Sequence, residues 1–320
     1  MFRNLHSPRL PIYLVRLSSS PFNVTKRLIN TTTRTMADSA KRNPHPDFKA
    51  TEAARPDWDS KAGVRFTKTP DPDWKLGSGA NKLGETGPSK AHIAIDPHAP
   101  GRSLLSNYKF LISSIVPRPI AFVSSRAADG SAVNLAPFSW FNMINYDPPM
   151  FIVSVASPLD RAKDTLRNLV DSRECVINII SEPFIEAANA TCVNAPYGVS
   201  EWDVSGLTPA YDCETVACAR VREAIVSVEA KLHSVQELDS KAQPGQKSCT
   251  LLILEGTRFW VREDATNEDK SLVDPDVLRP ISRLGGITYG RTTDLAELPR
   301  TDFDEDVGGL EGYENIKNGN

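Results

Sequence analysis

Short apolar runs, separated by Pro, Gly, Asp and Asn, follow one another through the middle of the chain. Runs of this length, bounded by turn residues, are typical of β-strands. In 226–235 apolar residues alternate with Ser227, Glu229, Lys231 and His233, which predicts a half-buried strand with one polar face. The pattern predicts strands at Phe110–Ile115, Ile120–Ser125, Ala132–Leu135, Trp140–Ile144, Met150–Ala156, Cys175–Ser181, Val226–Val235 and Thr250–Arg262.

Two stretches, Lys163–Asp171 and Glu182–Cys192, repeat their apolar residues with the helical period instead. The dipeptide Asp129-Gly130 is typical of a tight hairpin turn. Many short strands with a few small helices predict a mainly β fold with helical decoration, arranged as a barrel. No G-x-G-x-x-G motif follows a predicted strand, which argues against a doubly wound nucleotide-binding sheet.

The first 37 residues contain no Asp or Glu and are rich in Ser and Thr. Their cations are Arg3, Arg9, Arg16, Lys26, Arg27 and Arg34. This composition predicts a mitochondrial transit peptide over residues 1–37. The alternatives are a disordered basic arm, or translation from Met36, which would give a cytoplasmic form.

Composition predicts three further segments. Residues 38–103 are rich in Pro and Asp, which predicts a largely disordered linker with local docking of Trp58 and Trp74. Residues 104–300 contain the predicted strands and helices and form the folded domain. Residues 301–320 carry six acids against one lysine, which predicts a disordered acidic tail.

Overall composition narrows the function classes. The 320 residues include 37 Lys and Arg against 40 Asp and Glu, a net charge of −3, which argues against a nucleic-acid partner. The longest apolar runs have the length of strands, so we expect no membrane partner. Five cysteines without a C-x-x-C pair predict free thiols, with neither a disulfide framework nor a metal site.

The segment 157–165 leaves a predicted strand and enters a predicted helix. The start of a helix offers unpaired N–H donors and a partial positive charge, which suit a phosphate. Arg161, Lys163, Asp164 and Thr165 lie at this start, where two cations and a hydroxyl could bind a phosphate monoester. The alternative, which spacing alone favours, is an ordinary helix start with Asp164 as its cap and solvated cations.

A second candidate segment, 134–142, mixes amides and a hydroxyl with aromatic rings. Such a mixture suits a flat heteroaromatic ligand, with polar groups at its edge and apolar groups at its face. The alternative is a core strand whose aromatic side chains pack inward. The candidate binding residues here are Asn134, Phe138, Ser139, Trp140, Phe141 and Asn142.

Taken in order along the chain, these motifs form a more specific pattern. The pattern resembles the flavin reductase-like, FMN-binding split-barrel family, and within it the flavoredoxin-like and flavoprotein oxygenase branch. The resemblance covers about 108–290, and its motifs are Val116–Ser125, Asp129-Gly130, Asn134–Asn142, Asp147–Pro149, Lys163–Asn168, Val176–Ile179, Tyr197–Trp202, Gly206–Thr208 and Arg283–Tyr289.

The resemblance implies a Greek-key split β-barrel over 104–300, usually a homodimer with FMN near the subunit interface. Asn134–Asn142 would then hold the isoalloxazine ring, with Trp140 beside it. Arg161, Lys163 and Thr165, with Asp164 among them, would lie at the phosphate. Tyr289 would line the pocket.

The function that the resemblance implies is an FMN-binding oxidoreductase. It would be an NAD(P)H-dependent flavin reductase or a relative of the flavin-dependent oxygenases, with NADH or NADPH as electron donor. We assign no catalytic acid or base, because the flavin supplies the redox chemistry and the protein positions it; Glu201, Asp203 and His233 are titratable residues without an assigned role. The alternatives are an FMN-binding electron carrier without its own NAD(P)H reaction, and a cofactor-free barrel that acts by protein contacts.

Overall fold

The computed structural model describes residues 44–81, 83 and 90–319; the predicted transit peptide, residues 1–37, lies outside the described residues. The helices are α1 (Phe48–Ala53), α2 (Leu104–Ser114), α3 (Asp164–Ser172), α4 (Ile185–Ala190), α5 (Glu201–Ser205), α6 (Pro275–Leu278) and α7 (Gly309–Lys317). The strands are β1 (Arg65–Thr67), β2 (Ala121–Arg126), β3 (Val133–Phe138), β4 (Phe141–Tyr146), β5 (Pro149–Val155), β6 (Glu174–Ile179), β7 (Pro209–Ala210), β8 (Arg220–Val221), β9 (Val226–Asp239), β10 (Lys247–Val261), β11 (Ile281–Arg283), β12 (Tyr289–Arg291) and β13 (Asp294–Ala296).

Seven strands form one antiparallel sheet in the order β3-β2-β6-β9-β10-β5-β4. They are the strands that the apolar runs after residue 120 predict. The turn between β2 and β3 contains Gly130 at a φ of +76°, which favours glycine and agrees with the predicted hairpin. The prediction of a mainly β fold is confirmed.

The connection between β3 and β4 closes this sheet into a barrel. These strands are the two edges of the sheet, yet only Ser139 and Trp140 separate them in the chain. Because consecutive Cα atoms lie about 3.8 Å apart, the two edges must approach each other at this corner. The sheet therefore curls on itself, as a split β-barrel requires.

Two hydrophobic clusters flank the sheet. Leu166 and Leu169 of α3 pack with Val153, Ile177 and Leu252 in the first cluster, and all five are almost fully buried. Burying one such side chain contributes roughly 1.5–3 kcal/mol. In the second cluster, apolar residues of β2 and β3 pack against the segment that contains α4 and α5. The predicted helix Lys163–Asp171 is confirmed as α3, and Glu182–Cys192 contains a 3-10 turn at Glu182–Phe184 followed by α4.

The strand predicted at Phe110–Ile115 is wrong, because these residues lie in and at the end of helix α2. The Ser103 side chain accepts a hydrogen bond from Ser106 N and caps this helix. A six-residue apolar run has the length of a strand, but it is also compatible with the last turns of a helix that begins earlier. The capping serine is the signal that separates the two interpretations.

The polar face predicted for β9 is also wrong at two positions. Ser227 and Glu229 are buried, and a fully enclosed carboxylate normally needs several hydrogen-bond donors. The backbone N–H of Glu214 (2.9 Å) and the Trp260 indole N–H (2.7 Å) donate to Glu229, as do the N–H and hydroxyl of Thr215. Burial alone would raise the pKa of Glu229, but these donors lower it to about 2.

Parts of the predicted linker contact the segment that follows β10. Strand β1 pairs in parallel with β13. The Arg279 guanidinium donates to the carbonyl oxygens of Ser60 (3.2 Å) and Ala62 (2.7 Å), and the Arg291 guanidinium lies over the Trp58 ring at 4.5 Å. Helix α7 lies within the segment predicted as an acidic tail. The domain boundaries stay predictions.

Two features are absent from the part of the chain that the structure describes. No helix among these residues has the length and apolar character needed to cross a membrane. No group of three or more His, Cys, Asp or Glu side chains in 44–81, 83 and 90–319 could hold a metal ion. The five cysteines are free thiols.

We expect Glu229→Gln to reduce stability by about 2–3 kcal/mol, because the amide presents a donor where the carboxylate accepted charge-assisted hydrogen bonds. The lowered pKa of Glu229 also has a pH consequence. Its contribution to stability is complete above the ordinary value of 4.5 and is lost as pH falls toward about 2. Denaturant unfolding between pH 3 and 7 measures both effects, and the stability difference between wild type and variant should shrink at low pH. A difference that stays constant over this range would contradict the assignment.

Candidate functional site

The corner between β3 and β4 presents a partly exposed aromatic side chain. The Trp140 carbonyl accepts a hydrogen bond from Ser154 N of β5 at 2.9 Å, which fixes the backbone of the corner. The Trp140 side chain is 40% exposed, and its ring lies 6.4 Å from the Tyr108 ring of α2. This arrangement leaves an aromatic surface beside the corner that a planar ligand could contact.

The loop from β5 to α3 is held at several points. The Ser157 hydroxyl accepts from Lys163 N at 3.3 Å, and the Ser157 carbonyl accepts from the buried Thr250 hydroxyl at 2.8 Å. The Glu237 carboxylate of β9 accepts from Leu159 N at 2.8 Å. These contacts fix the backbone immediately before α3 without using the side chains of Arg161 and Lys163.

The start of α3 has the features of an anion site. Lys163 is the N-cap residue, and no side chain caps the helix there; Asp164 occupies the first turn instead of the cap. The Lys163 and Arg161 side chains reach solvent, and Arg161 lies 3.5 Å from Asp160. Uncapped N–H groups, the positive end of the helix and two solvent-facing cations together favour an anion.

A buried hydrogen-bond network joins the two candidate segments. Asn134 of β3 and Thr165 of α3 are both buried, and the Asn134 amide lies 2.7 Å from the Thr165 hydroxyl. The other end of the amide lies 3.1 Å from the Glu201 carboxylate of α5. With its nitrogen toward Glu201, the amide donates to the carboxylate, and its oxygen accepts from Leu135 N and the Thr165 hydroxyl. The two segments predicted to form one site therefore meet.

Two acids lie at this junction. Burial raises the pKa of Glu201, hydrogen bonds from its own backbone and from Leu135 oppose the shift, and Asp164 adds to it. Burial also raises the pKa of Asp164, while Arg167 and Lys163 lower it. Both carboxyl groups are therefore easier to protonate than an ordinary acid, and a bound anion would increase this tendency.

The remaining candidate residues lie in different surroundings. Phe138 and Phe141 are half-buried and pack against the first hydrophobic cluster, where Phe141 stacks on Phe151 at 6.1 Å. Ser139 is half-buried, and Asn142 is exposed and accepts from Met143 N. Asn134 thus contacts the start of α3, Trp140 lies at the corner itself, and the two phenylalanines lie on the core side of the corner. Their roles in binding stay predictions.

The sequence interpretation did not assign two residues that contact this region. Tyr108 lies beside Trp140 only because 104–114 is helical, so the strand prediction concealed it. Glu201 directly follows Ser200, which caps α5, and a Glu in the first helical turn is an ordinary choice. Its contact with Asn134 depends on how α5 packs against β3, which local patterns do not encode.

Two cavities among the described residues lie away from the candidate residues. One of about 200 Å³ is lined by residues of β2 together with Trp202, Tyr211 and Cys218. Another, of about 450 Å³, lies between 62–65 and 293–294. Neither includes any of the ten candidate residues.

Comparison with known proteins agrees with the family resemblance. Residues 113–279 match the family described as "Flavin reductase like domain". The uncharacterized protein YwrF of Bacillus subtilis is 35% identical over 189 residues, which cover 59% of this chain and 90% of that protein.

Solved structures of similar proteins agree with this family match. Nitrilotriacetate monooxygenase component B from Bacillus cereus is 34% identical with a TM-score of 0.59, over 67% of this chain and 100% of that one. Pseudomonas fluorescens 2-nitrobenzoate 2-nitroreductase NbaA is 30% identical with a TM-score of 0.57, over 67% and 98%. A split-barrel protein of Shewanella frigidimarina, 20% identical with a TM-score of 0.54 over 63% and 95%, shares the fold.

The fold and the comparisons define the class as a split-barrel protein of flavin-related oxidoreductase type. More particularly, the chain belongs to the flavin reductase-like domain family. The family resemblance and the split-barrel fold predicted from the sequence are both confirmed.

Proposed function

We propose that the protein binds FMN between the β3–β4 corner and the start of α3, and that it oxidises NADH or NADPH through this flavin. The observation that supports the proposal most directly is the meeting of the two candidate segments through Asn134 and Thr165. This contact joins β3, the strand that leads to Trp140, to the start of α3, where two solvent-facing cations favour an anion.

The residues present fit this cofactor. A phosphate monoester dianion needs cations and N–H donors, and Arg161, Lys163 and the first turn of α3 supply them. A flat ring system needs an aromatic or apolar face, which Trp140 offers. Bound FMN would supply the hydride and electron transfer, while the protein binds the phosphate, orients the ring and controls access of water.

The relatives support the same reaction class. Two solved structures above 25% identity carry the names of a monooxygenase component and a nitroreductase, both of which are redox proteins. The first name also favours a second candidate function, in which the protein serves a flavin-dependent oxygenase. An FMN-binding electron carrier would differ from both in its lack of reaction with NAD(P)H, and a cofactor-free barrel would differ in its failure to bind FMN.

The purified protein should be yellow, or become yellow on reconstitution with FMN, and should lose this colour when NADH or NADPH is added without oxygen. The measurement is an anaerobic spectral titration with each nucleotide. Retained colour with both nucleotides, but bleaching by dithionite, would indicate a carrier. Failure to bind FMN at all would indicate a cofactor-free barrel and contradict the proposal.

The solvent-facing cations at the start of α3 can be tested separately. We expect R161A/K163A to weaken FMN binding by about 10-fold or more, because each lost charge-assisted hydrogen bond typically costs about 1.5–3 kcal/mol. Binding of riboflavin, which lacks the phosphate, should change little. Flavin fluorescence titration measures both ligands.

The matched control is K49A/K68A, which removes two exposed positive charges from the segment before α2. It corrects for the general effect of net charge on anion binding. An equal loss of FMN affinity in both double variants would show that the phosphate does not bind at the start of α3.

We also propose a homodimer that uses β4. This strand is an edge of the sheet, and Met143 (61%), Ile144 (51%) and Tyr146 (85%) expose large apolar side chains on it. An exposed apolar edge strand is rare in stable monomers and favours pairing with another chain. Since β4 begins directly at the corner, a second chain on this strand would border the proposed flavin site.

We expect Ile144→Lys to shift the protein from dimer to monomer and to reduce FMN affinity, because the change buries a charge in the proposed interface. Light scattering coupled to size-exclusion chromatography gives the mass of each variant. The control is Leu310→Lys, which changes an exposed leucine on α7. A wild-type monomer, or a dimer that both variants retain, would contradict the role of β4.

A further inference from the structure

Glu201 is a buried acid whose hydrogen bonds come from neutral groups. It is 5% exposed, and its Oε2 lies 3.3 Å from Leu135 N and 3.1 Å from the Asn134 amide. A buried carboxylate that lacks a neighbouring cation is costly in its charged form. The same network continues through Asn134 to Thr165, which lies in the first turn of α3.

The Asn134 amide can satisfy this network in two orientations. When Glu201 is ionised, the amide nitrogen donates to the carboxylate, and the amide oxygen accepts from the Thr165 hydroxyl. When Glu201 is protonated, its O–H can donate to the amide oxygen, and the amide nitrogen then donates to the Thr165 oxygen. Leu135 N donates to Glu201 in this second state. The same atom positions therefore serve both protonation states.

The charges around Glu201 make its protonation sensitive to a nearby anion. On α3, the charge of Asp164 opposes the ionisation of Glu201 and raises its pKa, while Arg167 and Lys163 lower the pKa of Asp164. Helix α4, which also packs in this region, carries the exposed Glu186, and α5 itself carries the exposed Asp203. A dianion at the start of α3 adds negative charge two hydrogen bonds away from the Glu201 carboxylate.

We propose that Glu201 is a positioning residue that couples anion binding at the start of α3 to the uptake of one proton. The proton comes from solvent and forms an O–H bond on the Glu201 carboxyl group. The Asn134 amide then turns, and the Thr165 hydroxyl hydrogen is no longer needed by Asn134. This inference rests on the proposed function, since it assigns the phosphate to that helix start.

The sign of the linkage follows from the charges. An anion raises the pKa of Glu201, so binding is favoured while the acid is protonated and weakens as pH rises between the free and bound values. The phosphate of FMN has the opposite pH dependence: its own ionisation strengthens binding as pH rises, because its dianion predominates only above a pKa of about 6. Inorganic sulfate is the better probe, since it remains a dianion throughout this range.

The test measures sulfate binding to the full chain by calorimetry between pH 4 and 8, in wild type, Glu201→Gln and Asp164→Asn. In wild type, affinity should fall by roughly threefold to tenfold over this range, with proton uptake seen in buffers of different ionisation enthalpy. Glu201→Gln should remove most of this dependence, because its side chain cannot titrate. Asp164→Asn removes the other acid whose pKa burial raises, and it should keep the part of the dependence that Glu201 supplies.

Three results would overturn the inference. They are a flat wild-type profile, an unchanged profile in Glu201→Gln, and a profile that only Asp164→Asn flattens. If Glu201→Gln does not fold, wild type and Asp164→Asn still decide, because a fall that survives in Asp164→Asn supports Glu201 and its loss contradicts it. Failure of the protein to bind FMN, measured separately, would contradict the proposed function without affecting the sulfate result.

Discussion

The two-residue connection between β3 and β4 is the constraint on which the rest of the structure depends. It requires opposite edges of a seven-stranded sheet to meet, and so it fixes the curvature of the whole barrel. The same connection places Trp140 beside α2, while Asn134, on the strand just before it, reaches α3. The corner that closes the sheet therefore also belongs to the candidate site.

The candidate site carries its positive charges at the surface and one acid in the interior. The cations Arg161 and Lys163 face solvent, where screening is strong and a charge costs little. The acid Glu201 lies inside, where a charge is costly and its partners are amides and backbone N–H groups. An approaching anion thus meets solvated positive charge first, while the buried network behind it determines how rigidly the first turn of α3 is held.

The sequence predicted the sheet well because its strands bury apolar runs and end at strong turn residues, as at Asp129-Gly130. It predicted α3 because Leu166 and Leu169 repeat with the helical period. The short apolar run 110–115 is compatible with both a strand and a helix. Its length favoured a strand, which is wrong, because these residues end helix α2. The burial of Glu229 depends on Thr215 and Trp260, which come from distant parts of the chain, so alternation within β9 could not reveal it. For the candidate site, the composition of two segments predicted that they act together, and the structure shows that they touch, whereas the link through Glu201 required the tertiary structure.

The pairing of β1 with β13 has a practical consequence for work on this protein. Both strands lie outside the matched range 113–279, one before it and one after it, and each supplies the hydrogen-bonding edge of the other. A shortened gene designed from the family limits would remove both strands together with the carbonyl groups that Arg279 contacts. An expressed fragment should therefore include both β1 and β13. A fragment trimmed on one side only would leave a solitary strand with unsatisfied backbone groups.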